Sequence, residues 1–194
     1  VATALGVAGS IALCGCGATK APVVASVQGI AISQGEVDHW TAIKRIELES
    51  SPTTTSSAAD ARRKALAFLI TSEWLKQEAA SRGVSVPESE VLATYHRLLN
   101  GPNGPNFASS LKRRGLSDAD ELLTLRLGAL GEKLGEKVRG PRHGVLRAAQ
   151  RQRLDAFVAA YRRRWKQRTI CGPRYVIAEC RNGPPLPSST GGAP

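Results

Sequence analysis

Punctuation constrains this chain more than any other feature. From Ser33 onward it repeats one pattern: a cap, a run with apolar residues every third or fourth position, and a Gly- or Pro-containing stop. Such runs bury one face of an α-helix, whereas a half-buried strand would alternate at every second residue. Ser33 with Glu36 has capping-box spacing and opens a helix carrying Val37, Trp40, Ile43 and Ile46. Residues 50–59 are rich in Ser and Thr and read as a mobile loop. A second helix runs from near Asp60 to Arg82, with Leu66, Leu69, Ile70 and Trp74 on one face and Gly83 as its stop. Pro87 opens a third at its first position, with Val91, Leu92, Tyr95, Leu98 and Leu99 as its apolar face. A short fourth helix holds Phe107 and Leu111 and stops at Gly115. Ser117 and Asp120 cap a fifth, striped by Leu123, Leu127, Leu130, Leu134 and Val138. The last helix spans roughly 145–168 and carries Leu154, Phe157, Val158, Tyr161 and Trp165.

The two ends read differently. Residues 1–13 form a small, apolar stretch of signal-peptide length, too short to cross a bilayer. Leu13-Cys14-Gly15-Cys16 then resembles a bacterial lipobox, with Cys16 as the lipid-attachment residue after the small Gly15. Cys14 fits less well, because Leu13 would occupy the small position. No Lys or Arg precedes the apolar run and the chain has no Met, so the start reads as truncated. Residues 17–22 read as a tether, and 23–32 as a short strand and turn. Cys171 and Cys180 enclose Gly172-Pro173 and a strand-like Tyr175-Val176-Ile177. In an exported chain this pair reads as a disulfide stapling a small hairpin that lacks its own core. Zinc is the rival ligand, weakened by the absence of a CxxC pair and the distance of His143. Residues 182–194 are rich in Pro, Gly and Ser and read as a disordered tail.

Charge is the second constraint. Basic and acidic residues number 15 and 14 over 1–138, but 12 and 2 over 139–194, so nearly all of the +11 net charge lies in the last third. An anionic partner is the functional implication, and a solvated helix face is the simpler one. Arg162, Arg163, Arg164, Lys166 and Arg168 are the candidate anion-binding residues. Catalytic chemistry has little footing. His39, His96 and His143 are scattered, and the chain carries no HExxH, G-x-S-x-G, phosphate loop or G-x-G-x-x-G. Asp118, Asp120 and Glu121 stand where helix N-terminal charges belong. No metal or cofactor is called for, and no apolar run reaches the roughly 18–20 residues of a bilayer span.

Several segments, taken in order, resemble a known family. These are Val24–Val37, the helix with Ala67-Phe68-Leu69-Ile70 and Trp74, residues 80–86, and Glu90-Val91. Phe107, Leu111, Gly115, Glu121-Leu122-Leu123, Lys133-Leu134 and Lys137-Val138 follow. Over 23–138 this pattern resembles the N-terminal domain of SurA/PrsA-type foldases and their actinobacterial lipoprotein relatives. Residues 157–165 and the Cys171/Cys180 unit resemble the closing segment of those lipoproteins. Gln28 departs from the Asn usual in the family. The larger departure is an absence: only 139–153 separate the fifth and last helices, too few for the family's parvulin domain.

The resemblance therefore implies a mainly α fold, with a SurA N-terminal-like helical domain over 23–138 and a basic closing unit over 139–181. It implies a lipid-anchored protein on the outer face of the cell membrane. It implies holdase-like binding of unfolded or newly exported polypeptides, without prolyl isomerase activity. Trp40, Trp74, Tyr95 and Phe107 are the candidate client-binding residues, although for each of them residue type and spacing favour core packing. The basic helix would lie against an anionic membrane surface. The competing class is a nucleic-acid- or envelope-anion-binding protein acting through the same helix, and no specific nucleic-acid docking motif supports it.

Overall fold

A two-residue turn sets how the folded chain begins. Gln28 and Gly29 have φ of 49° and 89°, the paired positive values of a type I′ turn, whose twist matches that of the strands it joins. β1 (Val23–Val27) and β2 (Ile30–Ser33) thereby form an antiparallel hairpin with Val27 opposite Ile30. The single strand expected here is therefore two. The computed structural model describes residues 21–50, 57–140 and 147–187, so the lipobox cysteines fall outside the described residues.

The six expected helices form. They are α1 (Gln34–Glu49), α2 (Ala58–Ser81), α3 (Glu88–Asn100), α4 (Gly104–Arg114), α5 (Asp118–Arg139) and α6 (Arg147–Gln167). The boxes Ser33/Glu36 and Ser117/Asp120 close in both directions, side chain to backbone and back. A third box was missed. Ser57 and Asp60 cap α2 in the same way, so the helix begins at Ala58, two residues before Asp60. Pro87 is the residue before α3 rather than its first, a difference within the usual uncertainty of helix ends. Gly83 and Gly115 sit at positive φ beyond α2 and α4, where a side chain would be strained.

The core lies between the hairpin and the first two helices. Val24, Val27, Val37, Leu66, Ile70 and Trp74 have no more than 1% of their surface exposed. α5 crosses α2 closely enough for the Gly131 backbone to face Leu75. Leu127, Leu130 and Leu134 are buried as the stripe required. The α3 stripe is only partly used: Val91 and Tyr95 are buried, while Leu92 and Leu98 stay 37% exposed.

The closing unit differs most from the sequence expectation. Tyr175-Val176-Ile177 is not a strand. Pro173–Tyr175 forms a single 3₁₀ turn, because proline fixes φ and offers no amide to a ladder. The strand lies earlier, as β3 (Thr169–Cys171), and it pairs antiparallel with β1 to give the order β2-β1-β3. A Cys171–Cys180 disulfide then joins β3 to the chain beyond the turn. The unit is therefore no separate hairpin, nor does it lack a core. Cys171, Ile177 and Cys180 belong to the main hydrophobic cluster. The tail is also held further than its composition suggested. Lys166 Nζ donates to the carbonyls of Ala178, Gly183 and Pro184, and Arg162 donates to that of Pro187. Lysine supplies three donors that any backbone carbonyl satisfies, and Leu186 packs against the core beside them, so this segment is held by both.

Candidate functional site

The expected client-binding residues are mostly structural. Trp74 is 1% exposed and donates its indole N–H to Thr169 Oγ1 at 2.7 Å, while that hydroxyl donates to the carbonyl of Trp165. Tyr95 is 6% exposed and packs edge-on against Phe107, with its hydroxyl on Asp118 at 2.6 Å. That hydrogen bond, burial, and the negative charges of Asp118 and Glu121 push the phenol up to about 12. Trp74 and Tyr95 thus form no apolar surface, and Phe107 packs against the core as a partly buried group. They are large apolar groups on helical stripes, and core packing claimed them.

Trp40 is the exception. Although only 5% exposed, it forms the floor of an open cleft of about 300 Å³ between α1, α2 and α5. Leu69 and Leu123 complete the apolar floor, and Glu36, His39, Glu73 and Lys76 form the rim. Trp40 is held in place from behind by the tilted ring of Phe68, 4.2 Å away between centroids, with Lys44 over both rings. Gly35, in the first turn of α1, lines the mouth. A Cβ there would meet nothing within 4 Å.

The rim is preorganised by pairing. His39 Nε2 lies 2.8 Å from Asp120 Oδ1, while Asp120 also closes the α5 capping box. Burial raises the Asp120 pKa, but hydrogen bonds from Ser117 and His39 outweigh it and hold the carboxyl below its ordinary value. Lys76 pairs with Glu73, and Glu36 closes the α1 box. The site thus presents satisfied polar groups around an apolar floor. Such an arrangement can seat an apolar side chain while hydrogen-bonding the backbone around it. Among the described residues no group of three or more His, Cys, Asp or Glu could hold a metal ion.

The basic closing helix is divided in its duties. Its rear half works inside the fold. Glu78 on α2 is 2% exposed and accepts hydrogen bonds from Arg82 Nε at 2.6 Å, from Arg164, and from Trp165 Nε1 at 2.8 Å. Burial raises the Glu78 pKa, but the Arg82, Arg164 and Trp165 hydrogen bonds and the Arg164 charge outweigh it, so the net shift is downward. Lys166 is occupied by carbonyls as above. Arg168 lies over the Trp165 ring and bonds Gln28 Oε1 at 3.1 Å. Of the five candidate anion binders, Arg164 and Lys166 are structural, Arg162 and Arg168 are hydrogen-bonded, and Arg163 is exposed.

Sequence reasoning missed the cleft rim and Glu78. A carboxylate in a helix looks solvated until the arginines that meet it are placed. The one available signal for the mouth was Gly35, a helix-weakening residue just inside a strong cap. No family model, no curated protein and no solved structure matches this chain.

Proposed function

We propose that this chain is an extracytoplasmic, lipid-anchored protein that binds unfolded or newly exported polypeptides in a holdase-like manner. The α1–α2–α5 cleft is its client seat, and Cys16 is its lipid-attachment residue. The observation that carries the reading is the cleft itself: an apolar floor of Trp40, Leu69 and Leu123 under a charged rim, open to solvent at Gly35. Its volume of about 300 Å³ suits one or two apolar side chains of an extended segment. Recognition by apolar area with little sequence reading follows from such a surface. The disulfide supports export, since a stable Cys171–Cys180 bond belongs to an oxidising compartment.

Suppression of client aggregation tests this. The chain at stoichiometric amounts should slow aggregation of a chemically unfolded protein. Gly35→Phe, whose Cβ meets no neighbour within 4 Å and whose ring would occupy the mouth, should abolish that effect while leaving the unfolding curve in place. Full suppression by the Gly35→Phe variant would remove the cleft from the account. No suppression by the native chain would remove the holdase reading altogether.

A further inference from the structure

We propose that the protein rests on anionic lipid headgroups through the corner where α5 ends and α6 begins, and not through the rear of α6. The inference uses the extracytoplasmic placement of the previous section but not the client cleft. Three facts carry it. First, the cations at the rear of α6 are largely consumed: Arg164 by Glu78, Lys166 by carbonyls and Arg168 by Gln28. A cation already paired inside a fold has little left to offer a phosphate. Second, Arg147, Arg151 and Arg153 at the front of α6 are exposed and have no hydrogen-bond or ion-pair partner among the described residues.

Third, the fold concentrates more positive charge beside them. Arg153 reaches the C-terminal cap of α5, its guanidinium 3.7 Å from where a Cβ on Gly140 would stand. Arg139 lies in that last turn, and Lys137 crosses to the carbonyl of Arg82 at the end of α2. Arg82 in turn lies over the Phe157 ring of α6, 4.7 Å from its centroid. Arg82 is held by Glu78 and Lys137 by the Arg82 carbonyl, so the cations left to this corner are Arg139, Arg147, Arg151 and Arg153. Glu136 and Asp155 are the acidic residues nearest to them in sequence.

Lipid headgroups fit this surface better than nucleic acid does. Among the described residues the corner has no exposed aromatic ring on which a base could stack, since Phe157 lies under Arg82. A disulfide-bonded chain also works where anionic lipid is abundant and nucleic acid is not. The contact is electrostatic and so falls with salt.

The test is co-sedimentation of the full chain with phosphatidylcholine vesicles, with and without 30% phosphatidylglycerol, at low and high salt. The neutral vesicles report any binding by the apolar N-terminal stretch. Anionic vesicles should bind more protein, and salt should reverse the gain. The triple variant Arg147→Gln, Arg151→Gln, Arg153→Gln should lower partitioning onto anionic vesicles by about a hundredfold, at the increment known for basic groups near such a surface. A control with the same charge loss elsewhere, Arg163→Gln, Arg174→Gln, Arg181→Gln, should stay within about threefold of the native chain, because charges held away from the surface are screened. Equal losses in both variants would overturn the proposal, as would equal binding to neutral vesicles. Tighter binding to a 20-base-pair duplex than to anionic vesicles at the same salt would assign the corner to nucleic acid instead. A chain that binds anionic vesicles but no unfolded client leaves this inference standing and removes the holdase reading.

Discussion

Glu78→Ala should be among the most damaging single substitutions in the chain. The native carboxylate is 2% exposed and serves three donors, two of them on α6. Its removal leaves the Trp165 indole N–H without an acceptor, in a residue itself 2% exposed. It also strands two guanidinium groups. Breaking a buried ion pair costs about 3–5 kcal/mol. Here the Arg82 and Arg164 side chains remain 37% exposed, so water compensates part of the loss and the low end, about 3 kcal/mol, applies. That is a large share of the roughly 5–15 kcal/mol a domain has. Glu78→Gln keeps one acceptor and should cost about 1–2 kcal/mol. Urea unfolding followed by tryptophan fluorescence measures both. The pH dependence has a definite sign. The folded-state pKa of Glu78 lies below the ordinary 4.5, so its contribution is present above the unfolded value and is lost as pH falls through the folded one. The gap between native and Glu78→Gln should therefore be full at pH 7 and narrow below about pH 4. A cost under about 1 kcal/mol for Glu78→Ala, or a gap unchanged from pH 7 to pH 3, would refute the reasoning.

Three further outcomes follow from the disulfide, Tyr95 and Glu121. Cys171→Ser with Cys180→Ser should cost about 2–3 kcal/mol, the chain-entropy value for so short a loop. With Cys171 and Cys180 at 6% and 0% exposure, the native bond should resist dithiothreitol until the fold opens, which thiol labelling during reduction would show. Tyr95, pushed up to about 12, should stay protonated past pH 11 in an ultraviolet titration. Its hydrogen bond should stabilise the fold below the unfolded phenol value and lose that effect as pH rises through about 12. Glu121 Oε2 is buried with no hydrogen-bond partner, so Glu121→Leu should raise stability by about 1 kcal/mol. A fall in the melting curve of that variant would show that the oxygen has a partner.

The helices were legible because their signals are local. Ser33/Glu36 and Ser117/Asp120 each bring cap and partner within one turn, and Gly83 and Gly115 need only their own φ. Ser57/Asp60 carried the same kind of signal but was lost inside a Ser/Thr-rich run that composition marked as loop. What the sequence withheld is what distant segments decide together. Thr169-Ile170-Cys171 is too short to show a period and becomes a strand only because β1 offers an edge. Lys166 read as a ligand for outside anions, whereas the returning chain at residues 178–184 takes all its donors. Gln28 looked like a minor departure, yet it stands at φ 49° in the turn, where Asn is easier to place. Of the candidate client residues, Trp40 alone meets the cleft, because the cleft requires α5 to cross α1 and α2 and no periodicity encodes that crossing.

Site-specific photocrosslinking tests the central claim most directly. A benzophenone amino acid in place of Lys76 stands on the rim and leaves the mouth at Gly35 open, and one at Arg63, exposed on α2, serves as reference. Irradiation with a permanently unfolded, carboxymethylated protein and with its folded form should give adducts from position 76 with the unfolded chain alone, and few from position 63. Equal adducts from both positions, or none from position 76, would contradict the assignment of the cleft as a polypeptide seat.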